Sequence, residues 1–233
     1  MVQSDNIIKR DLAYAYQIIA KLELDDHTYT HLSARSEDES GIMFMNKFGL
    51  RFSEIREENL LDITFSGEVK SGIEEHINTT GYILHGSIYK QRQDVKAVFH
   101  VHTPSIIAVS AMKCGILPIS QWALHFYENV KYYDYDSLLL TNDQGTLLAS
   151  ALCNSNILML RNHGVVICTK SIHEAMFFLY HLEKACKTQC LALGSGQELL
   201  MPSHELCVNS VSDLLTFEKD LGRRDFDAWI RNL

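Results

Sequence analysis

The chain has 233 residues, 46% of them hydrophobic and 21% charged, a size and balance that fit one compact domain and exclude a disordered or fibrous chain. Its 21 basic and 29 acidic side chains leave a net charge of −8, which argues against a protein that grips nucleic acid or an anionic membrane through lysine and arginine. A domain of this length buries roughly 70–75% of its extended surface and needs no disulfide staples.

The six cysteines (114, 153, 168, 186, 190, 207) form no CxxC and no framework spacing, as expected of reduced thiols in a cytosolic core. The longest apolar stretches, such as Ile157 to Leu160 and Ala175 to Leu179, fall far short of the ~20 residues that span a bilayer. The opening MVQSDNIIKRDL lacks a charged-then-apolar leader, so the expectation is a cytoplasmic protein with no membrane and no nucleic-acid partner.

In chain order, residues 7–22 place Ile8, Leu12, Ala15, Ile19 and Leu22 at helical spacing, with Asp5 or Asn6 to cap the start. HTYTHLSARS, GIMFMN and LLDITFSGEVK read as short strands, the last pair turned at Ser66-Gly67. Thr79 or Thr80 is placed to cap a helix through GYILHGSIYKQRQ. Ala97 to Val101 are mostly β-branched or aromatic and stop at Pro104, the pattern of a buried strand, with a helix expected from Ser105 to Lys113.

NILMLRNHGVVICTK predicts two strands about a turn at Asn162-His163-Gly164. Ser171 and Glu174 form a capping-box pattern for a helix to about Ala192, which Gly194-Ser195-Gly196 breaks. Three prolines and twelve glycines, without repeats, mark no internal boundary. The expectation is therefore one domain over residues 1–195 with 196–233 as its helical extension. Strands and helices mixed without strict alternation predict an α/β sandwich in which helices cover a sheet containing antiparallel pairs.

The chemistry concentrates in the histidines. In a strand the period of two puts His100 and His102 on one face, close enough to bind one ion. They stand where a strand meets a loop and can open to a pocket. His163, in the RNHG turn, is placed to project into the same pocket. Three neutral imidazoles leave one coordination position open, as at catalytic zinc. The alternative for each is ordinary: two polar residues on a solvated strand face, and a common turn composition.

The strings LHGSIYKQRQDVKAVFHVHTP and LMLRNHGVVICTKSIHEAMFFLYHLEKAC, with THLSARS and MNKFGLRFSEI upstream, resemble the class II aldolase and adducin N-terminal domain family over roughly residues 5–195. The resemblance implies a three-layer α/β/α sandwich around a mixed, largely antiparallel sheet, and a homotetramer. It implies zinc on His100, His102 and His163, gripping the hydroxyl and carbonyl oxygens of a ketose phosphate and stabilising the enediolate formed on cleavage. It implies substrate phosphate held by loop residues matching Asn46 to Gly49 and by Thr79 and Thr80, where amides and hydroxyls suit an anion. Capping by the threonines and turning by Gly49 are compatible with that role.

One position departs from the pattern. The family's aldolases carry an acid/base glutamate directly after the two hydroxyl residues, and this chain carries Gly81, which cannot shuttle a proton. NTTGYILH is closer to the adducin-like branch. Glu74 and Glu75 precede Gly81 on an expected loop and His85 follows it by one helical turn, where it either faces the pocket or is a hydrogen-bonded histidine under the sheet. Tyr132, Tyr133, Asp134 and Tyr135 either line a neighbouring subunit's pocket or are solvated strand residues. Cys186 and Cys190 read best as small core residues. Two functions stand: a zinc-dependent lyase or isomerase acting on a small hydroxylated carbonyl or sugar-phosphate substrate, its base drawn from elsewhere, and a non-catalytic adducin-like module for binding or self-association. The chain ends without adducin's basic, lysine-rich tail, so a cytoskeletal role has little sequence support.

Overall fold

A computed structural model describes residues 4–70, 76–134 and 137–233. Helix α1 (Asp5–Lys21) buries Ile8, Leu12, Ala15, Tyr16 and Ile19 along one stripe, the three-to-four spacing that its sequence announces. Strands β1 (His31–Arg35), β2 (Ile42–Asn46) and β3 (Leu60–Thr64) follow. The strand expected after Ser66-Gly67 reduces to one bridge between Ile63 and Val69. Helix α2 (Thr79–Gln91) is capped by Asn78 rather than by either threonine: the Asn78 side chain accepts from the amides of Thr80 and Gly81.

Strand β4 (Ala97–Val101) is wholly buried and runs into α3 (Pro104–Ser110), which starts one residue before Ser105 and ends three before Lys113. Thr103 caps α3 with Pro104 in its first turn, the position where proline's missing N–H costs nothing. Then come α4 (Gln121–Leu124), β5 (Val130–Tyr133), α5 (Asn142–Leu152), β6 (Ile157–Leu160), β7 (Gly164–Thr169) and α6 (Ile172–Gly194). Ser171 caps α6, and the Glu174 carboxylate turns back to the Lys170 amide. Helices α4 and α5 have no counterpart in the sequence reading, although Thr141 and Gln144 form a complete capping box at the start of α5.

The seven strands make one sheet in the order β3-β2-β1-β4-β7-β6-β5. Every adjacent pair is antiparallel except β5 with β6. Alternation along each strand divides the core in two. Leu32, Phe44, Phe99 and Ile167 face α1, α3 and α6; Met43, Val98, Leu158 and Val166 face α2 and α5. The result is an α/β/α sandwich with a mixed, largely antiparallel sheet, as expected.

Beyond residue 195 lie α7 (His204–Thr216), against α4, and α8 (Arg223–Ile230), against α6 and α1. The start of α8 is fixed by Gly222 at φ +82°, where a Cβ would stand 2.6 Å from the His173 carbonyl oxygen. Phe226 is completely buried and Trp229 meets the Tyr180 ring at 5.4 Å. All six cysteines are free; Cys186 is buried and Cys190 half-buried. Among the described residues no helix is long and apolar enough to cross a membrane.

Candidate metal centre

The three histidines singled out by spacing converge. His100 points from β4 to the α2/α5 side of the sheet, His102 stands just past the strand end, and His163 enters from the β6–β7 turn. Ring centroids lie 4.5 Å apart for His100 and His102, 4.6 Å for His102 and His163, and 5.0 Å for His100 and His163. One ring nitrogen of each lies within 4.8 Å of the others. The turn that delivers His163 places Asn162 at φ +59°, a left-handed conformation asparagine tolerates. Gly164 follows because a Cβ there would lie 2.4 Å from the Val101 carbonyl oxygen and 3.0 Å from the His102 ring. The glycine of Asn-His-Gly is thus a packing requirement of the site.

Hydrogen bonds set the tautomers. His100 Nδ1 donates to the Val165 carbonyl oxygen at 2.9 Å, and His102 Nδ1 to the Asp26 carboxylate at 3.1 Å. Each Nε2 is then a bare acceptor, yet the two face each other at 2.8 Å. Two lone pairs at that distance repel unless a cation or a proton stands between them. Burial first, and then the neighbouring histidines, hold the pKa of His100 well below the ordinary value. Burial and then His102 push His163 down to about 4. Both are therefore neutral at pH 7 with lone pairs to give. Three imidazole nitrogens, one oriented by a carboxylate and one by a backbone carbonyl, fit a divalent transition ion.

A second imidazole chain runs beneath the first. His31 on β1 is the cross-strand partner of His100, its ring 5.0 Å away. His31 Nδ1 bonds His85 Nε2 at 2.8 Å, His85 Nδ1 bonds Ser33 Oγ at 2.5 Å, and Ser33 Oγ meets the Tyr89 hydroxyl at 2.9 Å. His85 is fully buried and is the hydrogen-bonded histidine under the sheet that one of its two readings anticipated. Desolvation holds His31 and His85 well below the ordinary histidine pKa.

Gly81 explains itself in this setting: a Cβ at that position would lie 3.0 Å from the His31 ring. An imidazole from β1 occupies the room that a side chain from α2 would need.

A cavity of about 150 Å³ opens over the triad, with Thr80, Tyr133 and Asp134 among its lining residues. Thr80 is half-buried there, whereas Thr79 is exposed and absent from the lining. Asn46 is buried away from the cavity; it accepts from the Tyr16 hydroxyl at 2.7 Å and donates to the Lys47 carbonyl. Gly49, at φ +96°, is exposed and does not reach the cavity. Tyr132 lies apart, accepting from the Ile116 amide and covered by Arg161 at 4.2 Å. Glu74, Glu75 and Tyr135 fall outside the described residues. Sequence reasoning missed Asp26, His31 and Asn78; the only signal for His31 was its place in an alternating strand, and Asp26 sits in a loop with no local signature.

The model of the class II aldolase and adducin N-terminal domain matches residues 10–190. The chain belongs to that family. An aldolase II superfamily protein from Pseudomonas syringae superposes over 100% of this chain and 94% of its own, with a TM-score of 0.90 and 33% identity. An adducin-related protein of Schizosaccharomyces pombe is 31% identical over 96% of this chain and 72% of its own length. Alpha-adducin of Rattus norvegicus is 34% identical over 83% of this chain, which spans only 27% of that longer protein. An L-fuculose 1-phosphate aldolase from Glaciozyma antarctica shares the fold at TM-score 0.85 and 24% identity, over 97% of this chain and 88% of that one.

Proposed function

We propose that this protein is a metal-dependent, aldolase-like enzyme, a lyase or isomerase acting on a small hydroxylated carbonyl compound, with His100, His102 and His163 holding the ion. The observation that carries the reading is the meeting of two acceptor nitrogens at 2.8 Å beside a third imidazole, all within 4.8 Å, on the wall of a cavity. Zinc is the first choice; a bound divalent ion supplies Lewis acidity toward adjacent hydroxyl and carbonyl oxygens. Asp26 holds the His102 tautomer, and the Val165 carbonyl that of His100. Thr80 stands at the start of α2 as a substrate contact; Asn46, Gly49 and Thr79 belong to the same expectation from further out. Residues 1–195 form the catalytic domain and 196–233 its extension, and the working unit is a cytoplasmic homotetramer.

The test is metal content by mass spectrometry of untagged protein, against a His100→Ala/His102→Ala variant shown by circular dichroism to be folded. About one zinc per wild-type chain, lost in the variant, supports the reading. No metal after zinc reconstitution overturns it. A second reading, a binding or self-association module, is favoured by the absence of a carboxylate at Gly81 and the similarity to adducins. It predicts that His100→Ala leaves the oligomer mass in light scattering unchanged while metal is lost without consequence.

A further inference from the structure

The cavity over the histidines is built for a different ligand from the phosphorylated sugar that the family motif suggests. Its far wall is leucine: Leu84, Leu138, Leu139, Leu148 and Leu160. Leu84, Leu148 and Leu160 are each no more than 5% exposed and with Leu139 extend the α2/α5 core, whereas Leu138 is 62% exposed. Among the described lining residues there is no lysine and no arginine. A phosphate dianion sealed in such a place would lack the cationic or amide partners that its desolvation demands.

The groups that could have supplied those partners are engaged. At the start of α2, the Thr80 amide, the Thr80 hydroxyl and the Gly81 amide all donate to Asn78 Oδ1, at 3.1, 2.8 and 3.3 Å. The helix end that would cradle an anion already holds the oxygen of a neutral amide. Asn46 is held by Tyr16 and Lys47.

What the cavity does offer to an oxygen is a set of hydroxyls, from Tyr29, Thr30, Thr80, Tyr133 and Ser137, beside the Asp134 carboxylate. Thr30 is 3% exposed, and its Oγ1 has no hydrogen-bond partner. Its backbone lies at φ +66°, a costly conformation for a β-branched residue. An unsatisfied buried hydroxyl on strained backbone marks a position kept for something other than packing.

We infer that the site takes an unphosphorylated hydroxy-carbonyl compound with a short apolar tail. Its paired oxygens lie at His100, His102 and His163, one of them reaches Thr30, and its tail lies along Leu139 and Leu148. This rests on the metal-site reading above and narrows its substrate class. The cavity sets the size: about 150 Å³ is the space that admits a benzene-sized molecule.

The experiment uses the full chain loaded with zinc, its metal content measured first, and calorimetric titration with three hydroxamates that share one chelating head. Acetohydroxamate reports the head alone, butyrohydroxamate adds two methylenes, and phosphoglycolohydroxamate ends in phosphate. The expected result is about tenfold tighter binding of butyrohydroxamate than acetohydroxamate, with phosphoglycolohydroxamate no tighter than the head alone. Leu139→Ser should erase most of the gain from the propyl tail and leave acetohydroxamate unchanged. Asn78→Gly, which frees two helix amides, should improve the phosphate probe selectively. Phosphoglycolohydroxamate binding as tightly as butyrohydroxamate, or a propyl tail gaining nothing, overturns the inference while the metal reading stands. A chain that takes up no zinc overturns both.

Discussion

Gly81, Asp26 and His125 show how single side chains set the chemistry available. With the His31 ring 3.0 Å from any Cβ at position 81, and held by His85 at 2.8 Å, the ring has little room to yield. Gly81→Glu is therefore expected to destabilise the fold by about 1–3 kcal/mol through overpacking, read as a lower urea midpoint; a neutral or stabilised variant would show that the ring moves aside. Asp26→Ala removes the acceptor that fixes His102, at a half-buried loop position. Metal affinity should fall about 10–100-fold with the melting temperature of the metal-free protein unchanged, measured by competition with a chelator.

His125 lies far from the triad in the chain, 4.6 Å from the His181 ring and 5.2 Å from the Phe177 ring. Burial, chiefly, lowers its pKa to about 4. The unfolded chain, with an ordinary value near 6.5, binds the proton first. The stability this histidine allows is full above about pH 6.5 and is lost as pH falls toward 4. His125→Phe should take up about one proton fewer per chain on unfolding at pH 5, visible as a flatter dependence of unfolding free energy on pH over that window.

At the scale of the element, the site depends on where strands and turns end. The β6–β7 turn needs a glycine at 164 because Val101 and His102 close over it. Gly164→Ala forces a Cβ to 2.4 Å from a backbone oxygen, so the turn must shift, and zinc content should drop more than global stability. The α2 cap is an element property as well: Asn78→Ala should cost about 1 kcal/mol, and Asn78→Gly only a few tenths. The three residues Asn78, Thr79 and Thr80 are each chemically able to cap. Asn78 does so because it is the one left extended, at ψ 111°, with its oxygen over the Thr80 and Gly81 amides of the first turn. Composition permits all three, and only the backbone path chooses.

Across the whole molecule, the sheet order brings together strands distant in sequence. His31 and His100 are register partners across β1 and β4, and β7 then carries the His163 turn to the same end. The C-terminal helices close the opposite layer, with Phe226 inside the main core. Phe226→Ala should cost about 3–5 kcal/mol, with a single cooperative transition at lower temperature; an unchanged midpoint would show that α8 is not integral to the fold.

Local pattern alone determined much of this protein. The amphipathic stripe of α1, the buried run of β4, the Ser171 cap of α6 and the pairing of His100 with His102 were all legible, because each rests on spacing within a few residues, whereas the arrival of His163 beside that pair is a tertiary contact. The leucine wall, the Asp26 bond to His102, the engagement of Asn46 and Thr80 away from an anion, and the His31 ring in place of a side chain at 81 were decided only by tertiary structure. Each of those facts is a contact between segments far apart in the chain, and periodicity carries no information about which distant segment arrives or how much room it leaves.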